Sequence, residues 1–235
     1  MKKAVILLSG GLDSATTLYI AKSEGYELYA LSFDYNQRHR IELESAKKIA
    51  EAASVKRHLI ISFDMGMIGG SALTSSIEVP KDRQDMISQK DIIPITYVPA
   101  RNTIFLSFAL GWAETLMAED IFIGANIADY SGYPDCRPEY LKAFETIANL
   151  AVKAAVEETI RFSIKSPLIN LTKAEIIKKG LELGVNYSLT WSCYDPMPDG
   201  SPCKRCDSCI IRERGFREAG IKEPILLTRQ LNKGI

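Results

Sequence analysis

Apolar residues in this chain fall into short unbroken runs that alternate with longer amphipathic stretches. Ala4–Leu8 is the first run, followed by helical spacing at Leu12, Ala15, Thr16, Tyr19 and Ile20. Leu28–Phe33, apolar but for Ser32, is the second, and a helix follows over about Ile41–Ala53; Arg57–Ile61 reads as a third strand. Further on, Thr103–Met117 reads as an apolar helix and Asp120–Gly124 as a strand. Helical spacing returns over Pro138–Glu157, Arg161–Lys165 is a fifth strand, and Lys173–Leu183 is a helix capped by Thr172 with Gly184 beyond its end. Runs that are apolar at every position suit strands covered on both faces. The alternation predicts an α/β fold: a doubly wound parallel sheet of about five strands, with ligands at the carboxyl ends. Ser62–Pro94 breaks the rhythm and reads as a lid or a plain surface excursion. No internal repeat or low-complexity segment appears.

Composition narrows the classes. The 235 residues are 46% hydrophobic and 25% charged, and Lys+Arg and Asp+Glu each number 29. Such a balance gives no basic field to attract nucleic acid or a membrane surface, so small-molecule substrates are expected. No apolar run reaches membrane-spanning length, and Ala4–Leu8 behind two lysines is too short for a signal peptide. A cytoplasmic protein is expected.

The junction of the first strand and helix carries the chemistry. Leu8-Ser9-Gly10-Gly11-Leu12-Asp13-Ser14 turns a strand into a helix through two glycines. Backbone N–H groups and the positive helix end then face an open mouth, with the Ser9 and Ser14 hydroxyls as further donors: a phosphate cradle. It lacks the lysine of a Walker A loop and the glycine spacing of a dinucleotide fingerprint. The run SGGLDS resembles instead the PP-loop of the ATP pyrophosphatase superfamily, whose members cleave ATP between its α and β phosphates.

Four of the five cysteines, Cys193, Cys203, Cys206 and Cys209, form C-x9-C-x2-C-x2-C in the last quarter. Four thiolates on a loop stiffened by Pro196, Pro198, Gly200 and Pro202 suit a closed tetrahedral site, so structural zinc is expected rather than an iron–sulfur cluster. The division expected is residues 1–188 as the ATP-binding domain and 189–235 as a zinc-binding appendage packed on it.

Taken together, SGGLDS, FDYNQRH, VPARN, DYSGYPDCRPEY and the cysteine tail resemble the 7-cyano-7-deazaguanine synthase (preQ0 synthase, QueC) family over Ser9–Cys209. Two positions depart from the pattern: Lys204, where the family often has glycine, and Ile211, where leucine is usual. The resemblance implies an ATP-dependent ligase of queuosine biosynthesis. It converts 7-carboxy-7-deazaguanine and ammonia to the 7-cyano base, through an adenylated carboxylate and an amide. ATP, Mg²⁺ and one zinc per chain are implied, with small-molecule partners, no direct nucleic-acid or membrane contact, and a homodimer.

In that light the nucleotide site covers Leu8 to Leu18, including Ala15, Thr16 and Thr17. Ser9, Asp13, Ser14, Arg101 and Lys173 are the catalytic candidates. Asp13 reads as a magnesium ligand or as a helix-terminal carboxylate. Arg101, closing the strand-like run Tyr97–Asn102, reads as a grip for phosphate or the substrate carboxylate. Lys173 reads as a phosphate contact or a solvated helix lysine. For the deazaguanine, the candidates are His39, Tyr130, Tyr133, Asp135, Cys136 and Arg137, with Asp135 accepting from the guanine-like edge and a tyrosine stacking on the ring. Two rivals remain: another PP-loop synthetase, such as a tRNA-thiolating enzyme, and a zinc-ribbon nucleic-acid module using Arg205, Arg212, Arg214 and Arg217.

Overall fold

A computed structural model describes residues 1–83, 93–127 and 132–224. Five parallel strands form one sheet: β1 (Lys3–Leu7), β2 (Glu27–Asp34), β3 (Arg57–Ser62), β4 (Asp120–Phe122) and β5 (Ser163–Lys165), in the order β3-β2-β1-β4-β5. The helices are α1 (Leu12–Ser23), α2 (Ile41–Ala53), α3 (Arg101–Leu116), α4 (Pro138–Ala151), α5 (Lys153–Val156), α6 (Lys173–Glu182) and α7 (Asp207–Ala219).

The unbroken apolar runs are explained by two cores. Val5 and Leu7 point to one face with Leu31, Phe33, Leu106, Leu110, Phe144 and Phe162. Ala4, Ile6 and Leu8 point to the other with Leu18, Leu28, Ile49, Ile176 and Phe216. Because side chains alternate along a strand, each needs apolar residues at successive positions when both faces are covered. The order of strands reverses on either side of β1, which opens a crevice beyond the ends of β1 and β4.

Several expected boundaries move. Tyr97–Ala100 is a turn rather than a strand; it ends at a left-handed Ala100 (φ 53°), and α3 begins at Arg101. The helix expected over Pro138–Glu157 is interrupted at an extended Val152. Tertiary anchors outweigh helical spacing there: Asn149 clasps the N–H and carbonyl of Phe162 (2.9 Å each), and the Glu114 carboxylate accepts from Ala154 N–H (3.0 Å). The lid reading of Ser62–Pro94 is corrected as far as Arg83. Met65, Ala72, Leu73 and Val79 are buried in the core, Lys81 bridges Cys206, and Arg83 pairs with Asp207. The rest of that segment, Gln84–Ile92, lies outside the described residues.

The cradle loop is fixed by close backbone approach. Gly10 has φ +87°, and a Cβ there would lie 2.2 Å from the Glu42 carbonyl oxygen and 2.9 Å from the Ala46 nitrogen, both on α2. Its own carbonyl accepts from Trp191 N–H (2.9 Å). Gly10→Ala therefore combines a strained φ with a backbone clash. It is expected to cost about 3 kcal/mol or more, read as a lower midpoint in chemical denaturation.

Candidate active site

The strand-to-helix turn places Gly11 as the N-cap of α1, in extended conformation. The first helical bond is Ala15 N–H to the Gly11 carbonyl (3.1 Å), so the N–H groups of Leu12, Asp13 and Ser14 precede the helical ladder. Ser14 Oγ donates to the Gly11 carbonyl (3.1 Å) and lies 3.0 Å from Ser9 Oγ, which accepts from Gly11 N–H (3.3 Å). The two hydroxyls brace the loop. Gly124, just past β4, permits the sheet edge to approach α1: a Cβ there would sit 3.1 Å from Ser14 N.

A cavity of about 310 Å³ opens beyond these groups. Leu8, Ser9, Gly11, Leu12, Asp13 and Ser14 line it, and Arg101, Lys173, Tyr133 and Cys136 join them. Elements far apart in sequence are thus brought to one chamber. Lys173 is placed by the capping box that starts α6, in which Thr172 N–H donates to Glu175 (2.7 Å) and Glu175 N–H donates to Thr172 Oγ1 (3.3 Å). Its ammonium spans both carboxylate oxygens of Asp13, at 2.7 and 2.8 Å. This pair unites the two sequence candidates at the cradle.

Arg101 stands at the start of α3 with its guanidinium 6.0 Å from the Tyr133 ring centre, where the ring face can meet its charge. Burial pushes the Tyr35 hydroxyl to about 12 despite that arginine, and Tyr133 and Tyr194 upward as well. The tyrosines are therefore neutral donors. Burial, reinforced by Asp135, pushes the Cys136 thiol to about 11, so it is a neutral wall group rather than a thiolate nucleophile.

Other sequence candidates take different positions. The Asp135 carboxylate is buried and accepts Asn102 N–H (3.0 Å), while Asn102 Nδ2 donates to the Asp135 carbonyl (3.1 Å) and to Cys136 Sγ (3.2 Å). It satisfies a free N–H of α3 rather than facing the cavity. Arg137 is exposed at the start of α4. His39 packs edge-on to Trp191 (6.1 Å) beside Cys193, away from the cavity lining. Ala15 and Leu18 are wholly buried in the core, Thr16 bonds to Tyr187 (2.7 Å), and Thr17 is buried within α1, so the cavity meets only the first turn of that helix. Tyr130 lies outside the described residues. Sequence reasoning did not single out Glu42, Tyr35 and Tyr194, which also line the chamber: Tyr35 lies within FDYNQRH, Glu42 just beyond it and Tyr194 beside Cys193, and no spacing rule marks any of them.

The cysteine cluster abuts this chamber. The sulfur atoms of Cys193, Cys203, Cys206 and Cys209 lie within 4.8 Å of one another, and all four residues are buried, so the group can bind a metal ion. Backbone N–H groups point at sulfur: Cys203 N to Cys193 Sγ (3.2 Å), and Arg205 N and Cys206 N to Cys203 Sγ (3.4 and 3.3 Å). Such donors favour thiolates over thiols. Side-chain hydrogen bonds within the cluster lower the Cys206 thiol and raise those of Cys193 and Cys209, so a negative charge there is shared between neighbouring sulfurs. The cluster reaches the cradle through Trp191, whose indole N–H donates to the Cys193 carbonyl (2.9 Å) and whose backbone N–H holds Gly10.

Comparison with known proteins agrees with this geometry. A family model described as "Queuosine biosynthesis protein QueC" matches residues 3–220. The chain belongs to the QueC family. It is 64% identical over 223 residues to a 7-cyano-7-deazaguanine synthase of Syntrophus aciditrophicus, covering 95% of this chain and 96% of that one. It is 59% identical to the synthase of Syntrophotalea carbinolica, covering 99% of each. Among solved structures, NMN synthetase from Francisella tularensis matches at a TM-score of 0.49 and 18% identity, covering 94% of this chain and 78% of that one, too distant to speak to function.

The backbone at Lys204, between Cys203 and Cys206, is left-handed, with φ 60°. Left-handed backbone costs a side-chain-bearing residue about 1 kcal/mol or more relative to glycine. Lys204→Gly is expected to raise the thermal midpoint by about 1–3 °C without changing metal content, as read by calorimetry and elemental analysis.

Proposed function

We propose that this chain converts 7-carboxy-7-deazaguanine and ammonia into 7-cyano-7-deazaguanine at the expense of ATP. The observation that carries the reading is the two-part lining of a single cavity, in a chain that the QueC model matches over residues 3–220. One part is a set of anion-binding backbone N–H groups with Asp13 and Lys173; the other is an aromatic chamber holding Arg101. A polyphosphate and a flat acidic heterocycle can therefore meet in one enclosed space.

The residues fit an ATP–magnesium complex. Free N–H groups at the start of α1 suit phosphate oxygens, and Asp13 with Lys173 supplies one cation ligand and one phosphate-binding cation. ATP supplies activation, adenylating first the carboxylate and then the amide oxygen so that each becomes displaceable. In this reading the N–H groups of Leu12, Asp13 and Ser14 hold the departing pyrophosphate, and Lys173 offsets its charge. Arg101 orients the substrate carboxylate, Tyr133 packs on the ring, and apolar walls at Leu8, Phe33 and Phe105 exclude water.

Zinc is assigned to the four cysteines as a structural ion, since a closed four-sulfur donor set leaves no position for substrate. Its site ties residues 189 onward to the cradle through Trp191. Two of the four arginines of the nucleic-acid rival are locally neutralised, Arg205 by Asp82 and Arg212 by Glu223, which supports the small-molecule reading. Among the described residues no helix is long and apolar enough to cross a membrane. A homodimer in the cytoplasm is carried forward as part of the proposal.

Purified protein given ATP, Mg²⁺, ammonium and 7-carboxy-7-deazaguanine is expected to form the nitrile, detected by mass. Asp13→Ala and Lys173→Ala should each lower turnover by about a hundredfold, the scale for losing one electrostatic contact to a developing charge. Turnover within a few-fold of wild type in both would refute the cradle assignment. Elemental analysis should find one zinc per chain. Cys206→Ser is expected to lower both zinc content and the thermal midpoint, because the ion's binding energy is folding energy here; iron with labile sulfide would exclude the zinc assignment.

A further inference from the structure

Two carboxylates face the cavity among the described residues, Asp13 and Glu42. Asp13 is engaged at both oxygens by Lys173. Asp135, the carboxylate that the sequence suggested for a guanine-like edge, is buried outside the cavity lining, where it accepts from Asn102 N–H. Glu42 sits in the first turn of α2, whose backbone is pressed against Gly10. It is partly buried, and its carboxylate makes no hydrogen bond or ion pair with the described residues. The groups facing it are Arg101 of α3, Tyr35 after β2, and across the chamber Tyr133, Tyr194, Cys136 and the Asp13–Lys173 pair.

A carboxylate that faces a cavity and takes no donor from the protein is open to a ligand that supplies donors. The substrate of the proposed reaction has complementary polarity. It carries a carboxylate on its five-membered ring, and the edge of its six-membered ring presents two parallel N–H donors, N1–H and the 2-amino group. We infer that Glu42 accepts both donors of that edge while Arg101 holds the 7-carboxylate, which makes Glu42 the residue that selects a guanine-type base. This rests on the reaction proposed above. Two charge-assisted bonds in a fixed fork give the recognition its geometry. Burial pushes the Glu42 carboxyl up to about 7, against the pull of Arg101. The acceptor form is thus the one above that pH, and affinity should rise through neutrality and then level.

The test uses the full-length zinc-loaded protein and two probes without ATP: 7-carboxy-7-deazaguanine and its analogue lacking the 2-amino group, titrated by calorimetry. Glu42→Gln is expected to weaken binding of the natural base by about thirtyfold or more, the scale of losing a charged hydrogen-bond acceptor, while the analogue, which keeps N1–H for the substituted amide oxygen, loses only about fivefold. Wild-type affinity for the natural base should fall about tenfold per pH unit below 7, and the variant's should not. Glu42→Asp, which keeps the charge, should retain part of the affinity, and the KM for ATP should stay within a few-fold in both. Equal losses for base and analogue would mark a structural role and overturn the inference. Intact affinity with lowered turnover, or a raised magnesium requirement, would assign Glu42 to proton transfer or metal binding and overturn it too. Wild-type protein that binds the base and forms the nitrile sustains the reaction whichever way Glu42→Gln behaves; wild-type protein that does neither removes both.

Discussion

Gly10 is the point on which the site turns. Its backbone is held between the first turn of α2, where no Cβ fits, and the N–H of Trp191, which its carbonyl accepts at 2.9 Å. Without that wedge the loop after β1 could not aim the first N–H groups of α1 into the crevice. The same contact brings Glu42 to the cavity and ties the cysteine tail to the cradle. The N–H groups of the loop, the Glu42 carboxylate and the cysteine cluster are therefore mechanically one assembly. A tail residue such as Cys206, which never touches nucleotide in this arrangement, still has a route to the loop through Cys193 and Trp191.

The chamber concentrates charge in an apolar setting. Arg101, Glu42, Asp13 and Lys173 share it with Leu8, Phe33, Phe105 and Trp191. Desolvation makes such groups expensive and their interactions strong. The Asp13–Lys173 pair offsets its own cost, whereas Arg101 and Glu42 face each other's field without a hydrogen bond between them. Charged side chains kept in that condition are better explained by a bipolar ligand than by stability. The asymmetry also separates roles within the cavity: paired charges at the cradle, charges open to a ligand at the aromatic end.

Much of the molecule was written in local pattern. Strand runs, the SGGLDS turn, the Thr172 cap and the C-x9-C-x2-C-x2-C spacing each encode their geometry within a few residues, because strand burial, helix capping and knuckle formation are short-range. The five parallel strands and the clustering of the four cysteines follow the pattern read from the chain alone. Where expectation failed, a distant partner had intervened. Val152 breaks a helix because Asn149 and Glu114 are claimed by Phe162 and Ala154. Met65, Ala72, Leu73 and Val79 pack into the core, and the cysteine tail supplies partners for Lys81 and Arg83. The helix α7 was not anticipated, since its first turn carries metal-site cysteines and its sequence is mostly polar.

What only the tertiary structure decided is which chemically able side chain does which work. Sequence marks Asp135 as a carboxylate in a stiff loop, but Asn102, 33 residues earlier, takes its acceptor. It cannot tell that His39 turns toward Trp191, or that Lys173 meets Asp13 across 160 residues. Nor does any local signal show Glu42 facing a guanidinium from α3 with no donor of its own. A side chain's residue type fixes the bonds it can make, and that is in the sequence. Which of those bonds remain open for a ligand depends on long-range packing, and only the folded chain settles it.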